Sequence, residues 1–133
     1  MKTFILNILF LFVFFSSSYS RSIPEWVRFE GVENKDYKVY YDKHSIIYDP
    51  GKTIIVTLKY DYINSETIQS AIHKVKFLID KNAYDELDKI HYYKSDTSYI
   101  SEQSNIRPLI PSSEMSIIYQ YVYIAAVTLG PTK

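Results

Sequence analysis

Thr53-Ile54-Ile55-Val56-Thr57-Leu58-Lys59-Tyr60-Asp61-Tyr62-Ile63 is the stretch on which the fold turns. Ile54, Val56, Leu58, Tyr60 and Tyr62 take alternate positions, and Ile55, Thr57, Lys59 and Asp61 fill the places between them. Side chains alternate across a strand, so the first set predicts a buried face and the second a wet one. One buried and one wet face point to an antiparallel sheet covered on one side. Asp49-Pro50-Gly51-Lys52 before the stretch and Asn64-Ser65-Glu66 after it are turn sequences, because Pro presets φ and Gly accepts positive φ.

Toward the N-terminus, Tyr37 to Tyr41 reads as a strand, Asp42-Lys43 as a turn and His44 to Tyr48 as a returning strand. Gly31 to Asp36 is polar and turn-like, and Ile23 to Glu30, with the lone Trp26, reads as a short strand. Toward the C-terminus, Ile68 to Ile79 places Ala71, Val75, Phe77 and Ile79 in phase, and Asp80-Lys81-Asn82 turns the chain. Ala83 to Tyr93 is ambiguous: Ala83, Leu87 and Ile90 fall at helical spacing, whereas Tyr84, Ile90 and Tyr92 share strand parity. Ser95 to Asn105 reads as a polar loop. Arg107 to Pro111 is extended, because a residue before proline avoids the helical region.

A helix then opens at Pro111-Ser112-Ser113-Glu114, with Ser112 as the expected N-cap and Glu114 complementing the dipole, and it runs to Tyr123 or Ile124. Met115, Ile118, Tyr119 and Val122 recur at helical steps and form its docking stripe. Ile117, Tyr121 and Ile124 widen that stripe, and a homodimer contact through Tyr121 is the lesser expectation. The expected architecture is α+β: an antiparallel β-sheet of about six strands with a C-terminal α-helix packed on one face.

Met1-Lys2-Thr3, an apolar run from Phe4 to Phe15 broken by Asn7, and Ser16 to Ser20 have the layout of a secretory signal peptide. Ser18 and Ser20 supply the small residues at −3 and −1, which puts cleavage between Ser20 and Arg21. The apolar run falls short of the roughly 20 residues that span a bilayer. The expected organisation is therefore a signal peptide over 1–20 and a single domain over 21–133, exported to the periplasm, the cell surface or the medium. There is no cysteine in the chain, which excludes disulfides, thiolate metal sites, a cysteine nucleophile and a lipid-bearing cysteine. The 15 basic and 15 acidic residues balance, so no general attraction to nucleic acid or anionic membrane is expected.

The residues that carry chemistry are few. His44, His73 and His91 are the only histidines, and no pair has helical ligand spacing. His73 falls in phase with Ala71 and Val75, toward the apolar face. Asp85, Glu86 and Asp88 lack the glycine and spacing of a calcium loop and read as a solvated charged face. No G-x-S-x-G elbow occurs, and with only three glycines there is no phosphate-cradling loop. These observations predict no catalytic, cofactor-binding or metal-binding residues and no enzyme. Tyrosine is the abundant type, 14 in all, and suits either cross-strand packing or aromatic recognition.

Trp26-Val27-Arg28-Phe29, Val39-Tyr40-Tyr41-Asp42-Lys43-His44-Ser45-Ile46, Thr57-Leu58-Lys59-Tyr60-Asp61-Tyr62 and Ile110-Pro111-Ser112-Ser113 follow one another in an order that resembles the surface-adhesin protein E family of Gram-negative envelope proteins. The resemblance implies one sheet of about six strands crossed by a C-terminal helix, and it implies a strand for Ala83 to Tyr93. Family members usually carry two cysteines joining sheet to helix, and a lipobox; this sequence has neither. The implied function is a non-enzymatic binding module of the bacterial envelope, an adhesin recognising a host extracellular-matrix protein. The alternative is a periplasmic structural or assembly factor with no host ligand.

Overall fold

The computed structural model describes residues 23–32, 34–102 and 104–132. The expected signal peptide and its cleavage after Ser20 lie outside the described residues. The architecture is α+β: a mostly antiparallel sheet with one C-terminal helix packed against it. The strands are β1 (Trp26–Arg28), β2 (Tyr37–Asp42), β3 (Ile47–Asp49), β4 (Thr53–Tyr62), β5 (Ile68–Leu78), β6 (Ala83–Tyr93), β7 (Ser98–Glu102) and β8 (Ile106–Pro108). The helix is α1 (Glu114–Leu129). Six strands form the continuous path β1-β2-β4-β5-β6-β7, while β3 pairs with β4 and β8 with β6. All pairings are antiparallel.

The alternation of β4 is realised. Ile54, Val56 and Leu58 are fully buried and Tyr60 nearly so, whereas Ile55, Thr57, Lys59 and Asp61 are half-exposed. Across the β4–β5 ladder Ile54 faces Phe77, Val56 faces Val75 and Tyr60 faces Ala71, so one face of the two strands is apolar except where His73 stands opposite Leu58. α1 lays Ile118, Val122 and Ala126, successive i+4 positions and all fully buried, on that face. Met115, Ile117, Tyr119 and Ala125 pack beside them. Burying a side chain such as Ile118 contributes about 1.5–3 kcal/mol by transfer.

Five details differ from the sequence reading. The expected strand over His44 to Tyr48 is a 3-10 turn (Lys43–Ser45) followed by the three residues of β3. The buried Asp42 carboxylate causes this, because it accepts from the amides of both His44 and Glu25 and draws the chain into a turn. Ile79 lies in a 3-10 turn after β5 rather than in the strand. The expected loop over Ser95 to Asn105 contains β7, which forms an edge along β6. The helix is capped by Ser113, whose hydroxyl accepts from Ser116 N–H, while Ser112 sits at φ 64.

The fifth difference is that the helix runs to Leu129, because Ala125, Ala126 and Val127 continue it and Gly130, at φ 83, ends it. Beyond the end, Thr132 bonds the backbone of Tyr48 in both directions and ties the tail to β3. The ambiguous segment Ala83 to Tyr93 is a strand, as the resemblance implied.

Candidate functional site

The apolar row of β5 is interrupted by His73, which stands opposite Leu58 of β4 and Lys89 of β6. A bulge in β6 explains its neighbours. Val75 pairs with Glu86 and Lys74 with Asp88, which leaves Leu87 as the extra residue. Residues three apart on a regular strand point to opposite faces, but the bulge brings Glu86 and Lys89 to the same face. They form an ion pair of 2.5 Å. The same face of β2 and β4 carries Tyr37 and Tyr62, paired across the ladder, and Tyr60 beside them. These groups lie at the start of α1, where the chain descends from β8 through Pro108 and Ile110 into the cap.

His73, Glu86, the three tyrosines, Pro108 and Ile110 line a cleft of about 410 Å³. Its walls are Tyr37, Tyr60 and Tyr62 on one side, His73, Tyr84 and Glu86 on the sheet floor, and Glu114 with Met115 at the helix start. The aromatic rings brace one another. Tyr37 meets Tyr60 at 5.4 Å and Tyr62 at 5.6 Å, both edge-on, which suits the ring quadrupoles. Tyr60 lies 4.7 Å from the His73 ring. The Tyr37 hydroxyl donates to Glu114 Oε2 at 2.6 Å, which links β2 to the first residue of α1 across 77 positions of sequence.

Electrostatics in the cleft favour neutral rings. Burial, then the hydrogen bond to Glu114 and its charge, raise the Tyr37 phenol to about 12. Burial chiefly, with Glu114 next, also raises Tyr60 and Tyr62. His73 is lowered to about 4, mainly by burial; Lys89 and His91 lower it further and Glu86 opposes them. The imidazole is therefore neutral at pH 7. Its two ring nitrogens are the only buried side-chain polar atoms among the described residues without a hydrogen-bond partner.

The residues singled out in the sequence are not brought together. His44 is on the surface, where its ring meets Glu25 at 3.0 Å and the carbonyl of Ile23 at 2.8 Å. His91 lies near His73, with ring centroids 6.2 Å apart, but His44 is elsewhere. Asp85 is buried rather than solvated; its carboxylate accepts from the Ser104 hydroxyl at 2.6 Å and the Asn105 amide at 2.8 Å, and so fixes the return toward β8. Glu86 faces the cleft and Asp88 the other side of the sheet, so the acidic trio is split. Among the described residues no group of three or more His, Asp or Glu is placed to hold a metal ion. No helix among the described residues is long and apolar enough to cross a membrane.

Sequence reasoning put His73 on the apolar face but missed the tyrosine cleft, although Tyr37, Tyr60 and Tyr62 were visible as strand residues. Its closure depends on the β6 bulge and on Glu114 meeting Tyr37, and neither has a sequence motif. Comparison of the chain with protein-family models, curated proteins and solved structures finds no match in any of the three.

Proposed function

We propose that the chain is a non-enzymatic, exported binding module of the bacterial envelope that recognises a protein partner through the cleft at the start of α1. One observation carries this reading: four tyrosine side chains and a neutral histidine line a cleft of about 410 Å³, within the size range of ligand sites. Tyrosine supplies a rigid apolar ring with one polar tip, which suits recognition at low entropic cost. The unpartnered ring nitrogens of His73 support binding over acid–base catalysis, because no described group holds them against a nucleophile. The resemblance carried by Val39 to Ile46 and Thr57 to Tyr62 supports a host matrix protein as the partner and the cell surface as the place.

The test is binding of the exported protein to immobilised extracellular-matrix proteins, with Tyr62→Ala as the cleft variant and cell fractionation alongside. The expected result is saturable binding to at least one matrix protein, weakened about tenfold or more by the substitution, as for loss of an aromatic anchor. A protein that binds none and remains in the periplasm defeats the adhesin reading.

A second reading has its own observation. β7 is an edge strand without Lys or Pro, and Tyr99 and Ile100 on it are 61% and 60% exposed. Such an edge can accept a partner's strand, which would suit a periplasmic structural or assembly factor.

A further inference from the structure

We infer that the cleft at the start of α1 is a receptor for an organic cation, an alkylammonium or guanidinium group, supplied by a lysine or arginine side chain of the partner. The inference rests on the binding-module reading and names the chemistry of its ligand. The lining contains two carboxylates, Glu86 and Glu114, four tyrosine rings and no Lys or Arg. Glu86 is balanced by Lys89 at 2.5 Å. Glu114 has no cationic side chain within ion-pair distance among the described residues; the Tyr37 hydroxyl donates to its Oε2 and leaves Oε1.

Two opposing fields must be weighed. The N-terminus of α1 brings the equivalent of about +0.5 charge toward the cleft, and the full negative charge of Glu114 at the first helical residue exceeds it. The Ser113 hydroxyl already occupies the Ser116 amide, so one donor that an anion would use is taken. Of the two fields, the negative charge is the larger at the helix start, while Lys89 and Arg107 stand beside Glu86. Tyr37, Tyr60 and Tyr62 line the cleft as well, and the face of an aromatic ring attracts a cation through its quadrupole. His73 stays neutral and adds no competing charge at pH 7. The molecule already uses this chemistry on its opposite face, where the Lys59 ammonium sits 5.1 Å from the Trp26 ring and 5.2 Å from the Tyr40 ring. Met115 and Ile110 supply apolar wall for the methylene stem that a long basic side chain carries.

The experiment is an NMR titration of the exported protein, following the tyrosine ring signals, with three probes. They are the blocked tripeptide Gly-Lys-Gly, its norleucine counterpart of equal length without charge, and spermidine as a free amine. The lysine peptide is expected to shift the rings of Tyr37, Tyr60 and Tyr62 saturably and to bind about tenfold more tightly than the norleucine peptide, the scale of one charge-assisted contact. Glu114→Gln keeps an acceptor for Tyr37 and should remove that tenfold preference; Tyr62→Leu, a half-exposed ring, should weaken the lysine peptide should Glu114→Gln fail to fold. Equal binding of the lysine and norleucine peptides overturns the cation preference while leaving a binding cleft. An absence of ring shifts with every probe overturns the cleft as a cation site, and a matrix partner bound through the β7 edge would survive that result. Spermidine binding more tightly than the lysine peptide overturns the assignment to a partner side chain.

Discussion

Two halves of one sheet face meet α1 differently. Under the middle and end of the helix the sheet offers Ile54, Val56, Val75 and Phe77, which are fully buried in one core with Ile118, Val122 and Ala126. Under the start of the helix the same strands offer Tyr37, Tyr60, Tyr62 and His73, and here the closure leaves a cleft. Strand periodicity places both sets on the face, so alternation decides burial but not chemistry. The apolar half is held by the hydrophobic effect and close packing. The tyrosine half is held by ring contacts and by one hydrogen bond between Tyr37 and Glu114, and it keeps a neutral imidazole whose nitrogens are unsatisfied. The first arrangement is a closed apolar floor, and the second leaves an open cleft with a buried imidazole that has no hydrogen-bond partner.

The largest effect that separates the halves is expected on the helix itself. Ile118 is fully buried on the sheet, and Ile124, six residues on, is 65% exposed. Ile118→Ala should lose about 2–5 kcal/mol, transfer plus cavity. Ile124→Ala should stay within about 0.5 kcal/mol, as surface substitutions do. Urea denaturation of the two variants measures the contrast. Similar small losses for both would mean that the helix does not dock through Ile118, and the closed half of the comparison would disappear.

His73 sharpens the contrast through pH. Its imidazole is lowered to about 4 in the fold, against an ordinary value of 6.5. Above pH 6.5 it is neutral in both the folded and unfolded chain and adds no pH dependence. Below that the unfolded chain takes a proton first, so stability is lost as pH falls from about 6.5 toward 4, by roughly 3 kcal/mol in total. Carboxylates titrate in the lower part of the window, so the informative quantity is the difference from His73→Leu, which lacks this group. The wild type should lose more stability than the variant between pH 6.5 and 4, and the two should run parallel above pH 7. Parallel curves throughout would show that the imidazole is hydrated, and the polar half would then be no more strained than the apolar one.

How much of this was legible in the sequence follows from the same contrast. The β4 alternation and the Met115, Ile118 and Val122 spacing gave the sheet, the helix and the buried face, because burial with a fixed period leaves a repeated mark. The bulge at Leu87 left no such mark, since one added residue looks like any other until the partner strand is known. The turn at Lys43–Ser45 was hidden for a related reason: it depends on the Asp42 carboxylate bonding amides at residues 25 and 44. β7 was missed because its Ser-rich composition resembles a loop and only its pairing with β6 makes it a strand. The cleft is a product of several such tertiary details, so its tyrosines were readable as strand residues and not as a site.

The smallest expected effect lies where the helix enters the polar half, and it decides which serine begins it. Ser112 and Ser113 are both suitable by type, and Ser112 was the expected cap. In the fold Ser112 has φ 64, a region in which an L-residue does not start a helix, while Ser113 is extended with φ −73 and ψ 158. The Ser113 hydroxyl accepts from Ser116 N–H at 3.2 Å and donates to the Ile110 carbonyl at 2.6 Å, so it fixes the helix start to the segment that forms the cleft rim. Ser113→Ala removes both bonds and should cost about 1 kcal/mol, the usual loss of a cap. Ser112→Ala removes no side-chain hydrogen bond among the described residues and keeps the same backbone requirement, so it should change stability by less than about 0.5 kcal/mol. Thermal or urea unfolding of the two single variants is sufficient to compare them. If Ser112→Ala were the more damaging, Ser112 and not Ser113 would cap α1, and the Ser113 bonds to Ile110 and Ser116 would not be what ties the helix start to the rim of the open half.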